Sequence, residues 1–112
     1  MKKIKVFIDI DDTLANYSRA HAIALEANPD IKYPQSQYGF FRSLQPLPWA
    51  LETFYHIQRS DKYEAWILTR PSIKNRLCYL EKADWIVKYF GEEQLDKTIF
   101  CCHKGLVGGK KD

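Results

Sequence analysis

The chain has 112 residues, 46% hydrophobic and 28% charged, with a formal net charge of +3. This is enough for one domain of ordinary size, and the composition excludes a disordered or low-complexity chain. No window of 18 uncharged apolar residues exists to span a membrane, and no basic run exceeds Lys110-Lys111, which argues against a nucleic-acid polymer as partner.

The first element is "IKVFIDI", residues 4 to 10, β-branched and apolar as in a strand buried on both faces. The lysines before it mimic a signal peptide only superficially, because Asp9 interrupts the run and no small-residue cleavage site follows. "YSRAHAIALEAN", 17 to 28, has helical spacing and is stopped by "NPD". Residues 29 to 46 read as a loop with a short helix. "PWALETFYHIQRS", 48 to 60, is predicted helical with Pro48 in its first turn, where a missing N–H costs nothing. "YEAWILT", 63 to 69, is the second strand. Helix follows from about 73 to 90, closed by Gly91, and "KTIFCC", 97 to 102, is the third strand.

Strand, helices, strand, helices, strand predicts an α/β domain over 1–112, with a parallel sheet of about three strands. The three cysteines, Cys78, Cys101 and Cys102, are odd in number, and the last two are adjacent. That pattern suggests a reducing, cytoplasmic setting, with the "IFCC" pair buried in its strand.

In such sheets the ligand crevice lies beyond the carboxyl ends of the strands. The three strands end in Asp9-Ile10-Asp11-Asp12, Thr69-Arg70 and His103-Lys104, so these groups should converge. On an extended chain Asp9 and Asp11 face the same way, with Ile10 opposite. Two carboxylates so close ionise together comfortably only beside a cation, and an oxygen-only pair suits Mg²⁺. Asp12 reads as a turn residue. "GLVGGK", 105 to 110, lacks the spacing and the strand-to-helix context of a phosphate loop and reads as a turn. A receiver-domain reading fails because neither "ILTRP" nor "FCCHK" supplies an acceptor Asp at the end of a middle strand.

"VFIDIDDTL" resembles the hhhhDxDxT motif of the haloacid dehalogenase-like superfamily of phosphoryl-transfer enzymes. "WILT" resembles the second motif through Thr69, and Lys104 after "IFCCH" is placed for the third. "YGFFRSLQPLPWALE", "ILTRP" and "CYLEKADWIVKYFG" are similar to the 5'(3')-deoxyribonucleotidase branch, the cytosolic type C nucleotidases. The resemblance implies a Rossmann-like three-layer core, with a small helical cap inserted at about 16–46. It implies a Mg²⁺-dependent phosphatase acting on nucleoside monophosphates. Asp9 would be the nucleophile and a metal ligand, and Asp11 the acid/base, also at the metal through its backbone carbonyl. Thr69, Lys104 and Arg70 would meet the phosphate, and Phe40, Phe41 and Arg42 the rest of the substrate. Tyr38 and Trp49 are further aromatic candidates for the base.

A fourth motif, one or two acids after another strand, would complete the metal site in that family. Only eight residues follow Lys104. The expectation is therefore a shortened member, with the open edge of the first strand available for a homodimer. The alternative to a working phosphatase is a weakly active or inactive nucleotide- or phosphate-binding relic, or a fragment of a longer enzyme.

Overall fold

The computed structural model describes residues 2–107; the end of the glycine-rich turn and everything from 108 onward lie outside the described residues. Three parallel strands form one sheet in the order β1-β2-β3: β1 (Ile4–Ile8), β2 (Tyr63–Thr69) and β3 (Thr98–Phe100). Val6 pairs with Ala65 and Ile8 with Ile67, while Leu68 pairs with Ile99. This is the incomplete α/β sheet that the strand–helix alternation predicts. Among the described residues the outer edge of β1, on which the homodimer expectation rests, has no strand beside it.

Burial alternates along β2 with the period of the pleat. Ala65, Ile67 and Thr69 are buried, whereas Glu64, Trp66 and Leu68 are only half-buried. The buried face meets two helices, α2 (Ala50–Gln58) and α3 (Cys78–Phe90). Phe54, Cys78, Trp85, Ile86 and Phe90 complete the core there. On the opposite face Phe7 lies against Trp66 and remains 43% exposed. Of the three layers implied by the resemblance, the described residues thus build the sheet and one fully buried side.

Two helices begin later than the periodicity suggests. Pro48 lies outside α2, because Trp49 takes a left-handed conformation (φ 57°) and turns the chain into the helix only at Ala50. Residues 73–77 are turns, and α3 starts at Cys78. It ends as predicted at Gly91 (φ 93°), whose N–H caps the Val87 carbonyl. The outer strands are shorter than expected. β1 stops at Ile8, and Cys101 and Cys102 follow β3 as half-buried free thiols rather than lying within it.

Residues 16–46 hold α1 (Tyr17–Ala27) and a 3₁₀ turn at Pro34–Ser36. α1 has no fully buried residue, and its N-terminus is capped by Asn16 Oδ1, which accepts from Arg19 N–H. The loop that follows is tied firmly to the rest. Glu81 on α3 is fully buried and accepts the backbone N–H groups of Gly39 and Phe41. Asn75, 1% exposed, donates its amide to the carbonyls of Gln35 and Gln37. Trp85 Nε1 donates to Leu44 O at 2.8 Å. Buried polar groups seldom go unpaired, and these three satisfy an irregular segment that lacks ladder bonds of its own.

Candidate active site

The acids lie just past β1 rather than on it. The Ile10 carbonyl accepts N–H bonds from Thr13, Leu14 and Ala15, so the chain folds back sharply after the strand. Asp12 sits in this turn at φ 61°, a left-handed conformation that Asp tolerates better than most residues. Its carboxylate turns away to Ser18, accepting from the backbone N–H at 2.8 Å and the hydroxyl at 2.7 Å. Ile10 is buried, and Asp9 and Asp11 are not; this alternation carries both acids toward the carboxyl ends of the strands.

Each of the two acids faces a lysine. Asp9 Oδ1 accepts from Ile10 N–H at 2.7 Å, and its Oδ2 lies 2.9 Å from Lys104 Nζ. That pair is open to solvent, with side chains 41% and 34% exposed. Asp11 Oδ2 lies 3.1 Å from Lys82 Nζ, in a pair where Lys82 is 1% exposed. Burial pushes the Asp11 carboxyl above the usual carboxylate range, against the opposing pull of the Lys82 ammonium. Its second oxygen, Oδ1, is buried without a hydrogen-bond partner among the described residues.

Lys82 is the residue that reading the sequence missed. Its three donors are all used: on Asp11 Oδ2, on Thr69 Oγ1 at 2.7 Å and on the Arg70 carbonyl at 2.8 Å. The Phe41 ring lies 5.2 Å from the ammonium. The signal was present on α3. Cys78, Glu81, Lys82, Trp85 and Ile86 fall on one helical stripe, and all are buried. A charged pair inside an apolar stripe is unusual, because charges are almost never fully buried unless partnered.

Thr69, at the end of β2, is fully buried with its hydroxyl against Lys82. Arg70 is exposed, and with Asp11, Tyr17, Gln35 and Phe41 it lines a cleft of about 440 Å³ that reaches to His103. The structure therefore brings Asp9, Asp11, Thr69, Arg70, Phe41 and Lys104 to one end of the sheet. Four candidates go elsewhere. Arg42 points to Asp84 on α3, forming an exposed ion pair at 3.0 Å. Phe40 packs edge-on against Tyr17 and Phe41 and, with Tyr38, faces a separate hollow beside α1. Trp49 is 79% exposed at a third hollow beside Leu14 and Leu47. Consecutive side chains on an irregular loop have no fixed period, so "FFR" points three ways.

The donors at the cleft suit a hard divalent cation. Asp9 and Asp11 supply oxygen only; the Asp9 carboxylate is open to solvent, and Asp11 Oδ1 has no hydrogen-bond partner among the described residues. Mg²⁺ takes one or two carboxylates and completes its shell with waters and substrate phosphate. Among the described residues no cluster of three or more His, Cys, Asp or Glu exists, so the share that these residues offer to such a shell is the two acids.

No helix among the described residues is long and apolar enough to cross a membrane. No family model matches the chain. Curated relatives do. A protein of Acanthamoeba polyphaga mimivirus, provisionally named a 5'(3')-deoxyribonucleotidase, is 35% identical over 75 residues, covering 62% of this chain and 34% of that protein. The human mitochondrial 5'(3')-deoxyribonucleotidase is 32% identical over 69 residues, covering 62% and 30%. The human cytosolic-type 5'(3')-deoxyribonucleotidase is 30% identical over 71 residues, covering 63% and 35%. The chain thus matches about a third of the length of these relatives. Motifs and matches agree: over part of their length, the chain is similar to 5'(3')-deoxyribonucleotidases.

Proposed function

We propose that the chain carries the phosphoryl-transfer site of a Mg²⁺-dependent phosphatase for nucleoside monophosphates, working in the cytoplasm through an aspartyl phosphate. The observation that carries this reading is the convergence at one sheet end of two acids, a buried threonine and two lysines, each lysine within 3.1 Å of one acid. Asp9 is the nucleophile. One carboxylate oxygen attacks phosphorus in line, forming the Asp9 O–P bond as the ester P–O bond breaks. Asp11 delivers its proton to the departing ester oxygen, a role its raised pKa favours. In the second half Asp11 takes a proton from water as that water attacks phosphorus, and Asp9 is released as carboxylate with inorganic phosphate.

The lysines divide the electrostatic work. Lys82 holds Asp11 and Thr69 at fixed distances and adds buried positive charge beside the phosphoryl group. Lys104 lies on the half-exposed side, where it follows the phosphoryl oxygens once Asp9 has engaged phosphorus. Arg70 meets the substrate at the cleft mouth. Mg²⁺, held by the Asp9 carboxylate and the Asp11 carbonyl, would screen the charge of the attacking carboxylate and the phosphate when bound.

The second reading, binding without turnover, is favoured by the acid count, since the described residues bring two metal-type ligands together and no third. Phosphate release from nucleoside monophosphates, with and without Mg²⁺, separates the two. The phosphatase reading expects Mg²⁺-dependent release that drops by at least about 10³-fold in Asp9→Asn, since the covalent route then has no nucleophile. Equal rates for wild type and Asp9→Asn would sink the mechanism. Nucleotide binding with no release leaves only the second reading standing.

A further inference from the structure

Two buried side-chain oxygens lack a hydrogen-bond partner among the described residues: Asp11 Oδ1 and Gln35 Oε1. Both residues line the same cleft. Native structures leave few buried polar atoms unpaired, and such atoms in a cleft are where a ligand group is expected. Asp11 has a role in the reading above. Gln35 has none, and neither its sequence position nor its family resemblance singled it out.

The backbone of Gln35 is held in place. It sits in the short 3₁₀ turn behind Pro34, which is fully buried, and its carbonyl accepts from the buried Asn75 amide at 3.1 Å. Asn75 makes the same bond to Gln37 O at 3.1 Å, so the turn is clamped on both sides of Ser36. The side-chain amide makes no hydrogen bond among the described residues. A rigid stem with an uncommitted donor–acceptor tip is the arrangement a recognition residue needs.

We propose that Gln35 reads the nucleobase of the substrate, its amide oxygen accepting a base N–H while its NH₂ donates to the neighbouring base acceptor. This rests on the nucleotide reading of the site. The chemistry favours a base over a sugar. Glutamine presents one acceptor and one donor side by side, and nucleobase edges place complementary groups in the same spacing. The cleft walls near it, Tyr17, Phe41, Pro71 and Ile73, offer flat and apolar surface for a planar ring rather than partners for sugar hydroxyls.

The test is equilibrium binding by calorimetry of deoxyuridine 5'-monophosphate, deoxyadenosine 5'-monophosphate and 2-deoxyribose 5-phosphate to the wild-type chain and to Gln35→Met. Methionine keeps the length of the side chain and removes both polar groups, and the Asn75 clamp, made to the backbone, is untouched. The expected result is tighter binding of at least one nucleotide than of the sugar phosphate by wild type. In Gln35→Met that preference falls about tenfold, the worth of one hydrogen bond whose partner is left unpaired. An unchanged preference, an equal loss for nucleotide and sugar phosphate, or no nucleotide binding at all would each overturn the proposal. Phosphate release measured on the same ligands judges the phosphatase reading separately. A preference that moves without turnover keeps Gln35 and removes catalysis, and turnover with an immobile preference does the reverse.

Discussion

Replacing Lys82 by methionine isolates the buried charge at the centre of the site. Methionine fills a similar volume, so little cavity forms. What changes is the hydrogen bonding of three partners within 3.1 Å. The Thr69 hydroxyl loses the bond it accepts from Lys82, worth about 1 kcal/mol. The Arg70 carbonyl loses its donor, which costs about 1–3 kcal/mol if no water replaces it. Removing one member of a buried ion pair costs about 3–5 kcal/mol at full burial. Here the Asp11 side chain is 27% exposed and its carboxyl is already raised by burial, so it can take up a proton instead of standing as an unpaired charge. We therefore expect a total loss of about 2–4 kcal/mol, a large part of the ~5–15 kcal/mol that holds a typical domain.

Urea unfolding followed by tryptophan fluorescence measures this directly: the midpoint should fall with the slope unchanged. The loss should be smaller at mildly acidic pH, where protonated Asp11 no longer needs a counter-ion. A loss below about 0.5 kcal/mol, the range of an ordinary surface substitution, would refute the placement of Lys82 as a buried three-partner group.

Glu81→Gln replaces two acceptor oxygens with one and sets an NH₂ against a backbone N–H of Gly39 or Phe41. A stability loss of about 1–3 kcal/mol is expected, with faster amide exchange at those two positions, and unchanged exchange would contradict the anchoring role. Because burial raises the Asp11 carboxyl, the folded chain keeps that proton to higher pH than the unfolded chain does. Wild-type stability relative to Asp11→Asn should therefore be greatest below the ordinary carboxylate value of 3.8 and fall as pH rises through the folded pKa. A difference that stays flat from about pH 3 to 7 would refute the shift. Arg42→Ala removes an ion pair whose side chains are 51% and 49% exposed. The expected change is under about 1 kcal/mol and shrinks with added salt, as for solvent-screened pairs; a larger effect would place Arg42 in a role beyond that contact.

Local patterns settled the sheet. β2 is bounded as read, Tyr63 to Thr69, because its apolar β-rich run is closed by a turn on one side and by Pro71 on the other. Parallel strands with right-handed crossovers bring their carboxyl ends together, so Asp9, Asp11, Thr69 and Lys104 could be expected near one another from order alone. The outer strands end short of the apolar runs that carry them, because apolar character continues past the last ladder bond. Ile10 is buried by the turn after β1, whereas Cys101 and Cys102 stay half-buried beyond β3.

Sequence by itself determined which strand ends carry acids and bases, since that depends only on chain order and the handedness of the connections. Tertiary structure alone decided which cation faces which acid. Lys82 lies 71 residues from Asp11, and only the rotation of α3 about its axis, set by packing Cys78, Trp85, Ile86 and Phe90 against the sheet and α2, brings its buried ammonium to Asp11 and Thr69. The same rotation turns Glu81 toward the loop that carries Gln35 and Phe41. A helix's sequence records which residues share a face, but the direction of that face relative to a distant strand is a property of the packed core.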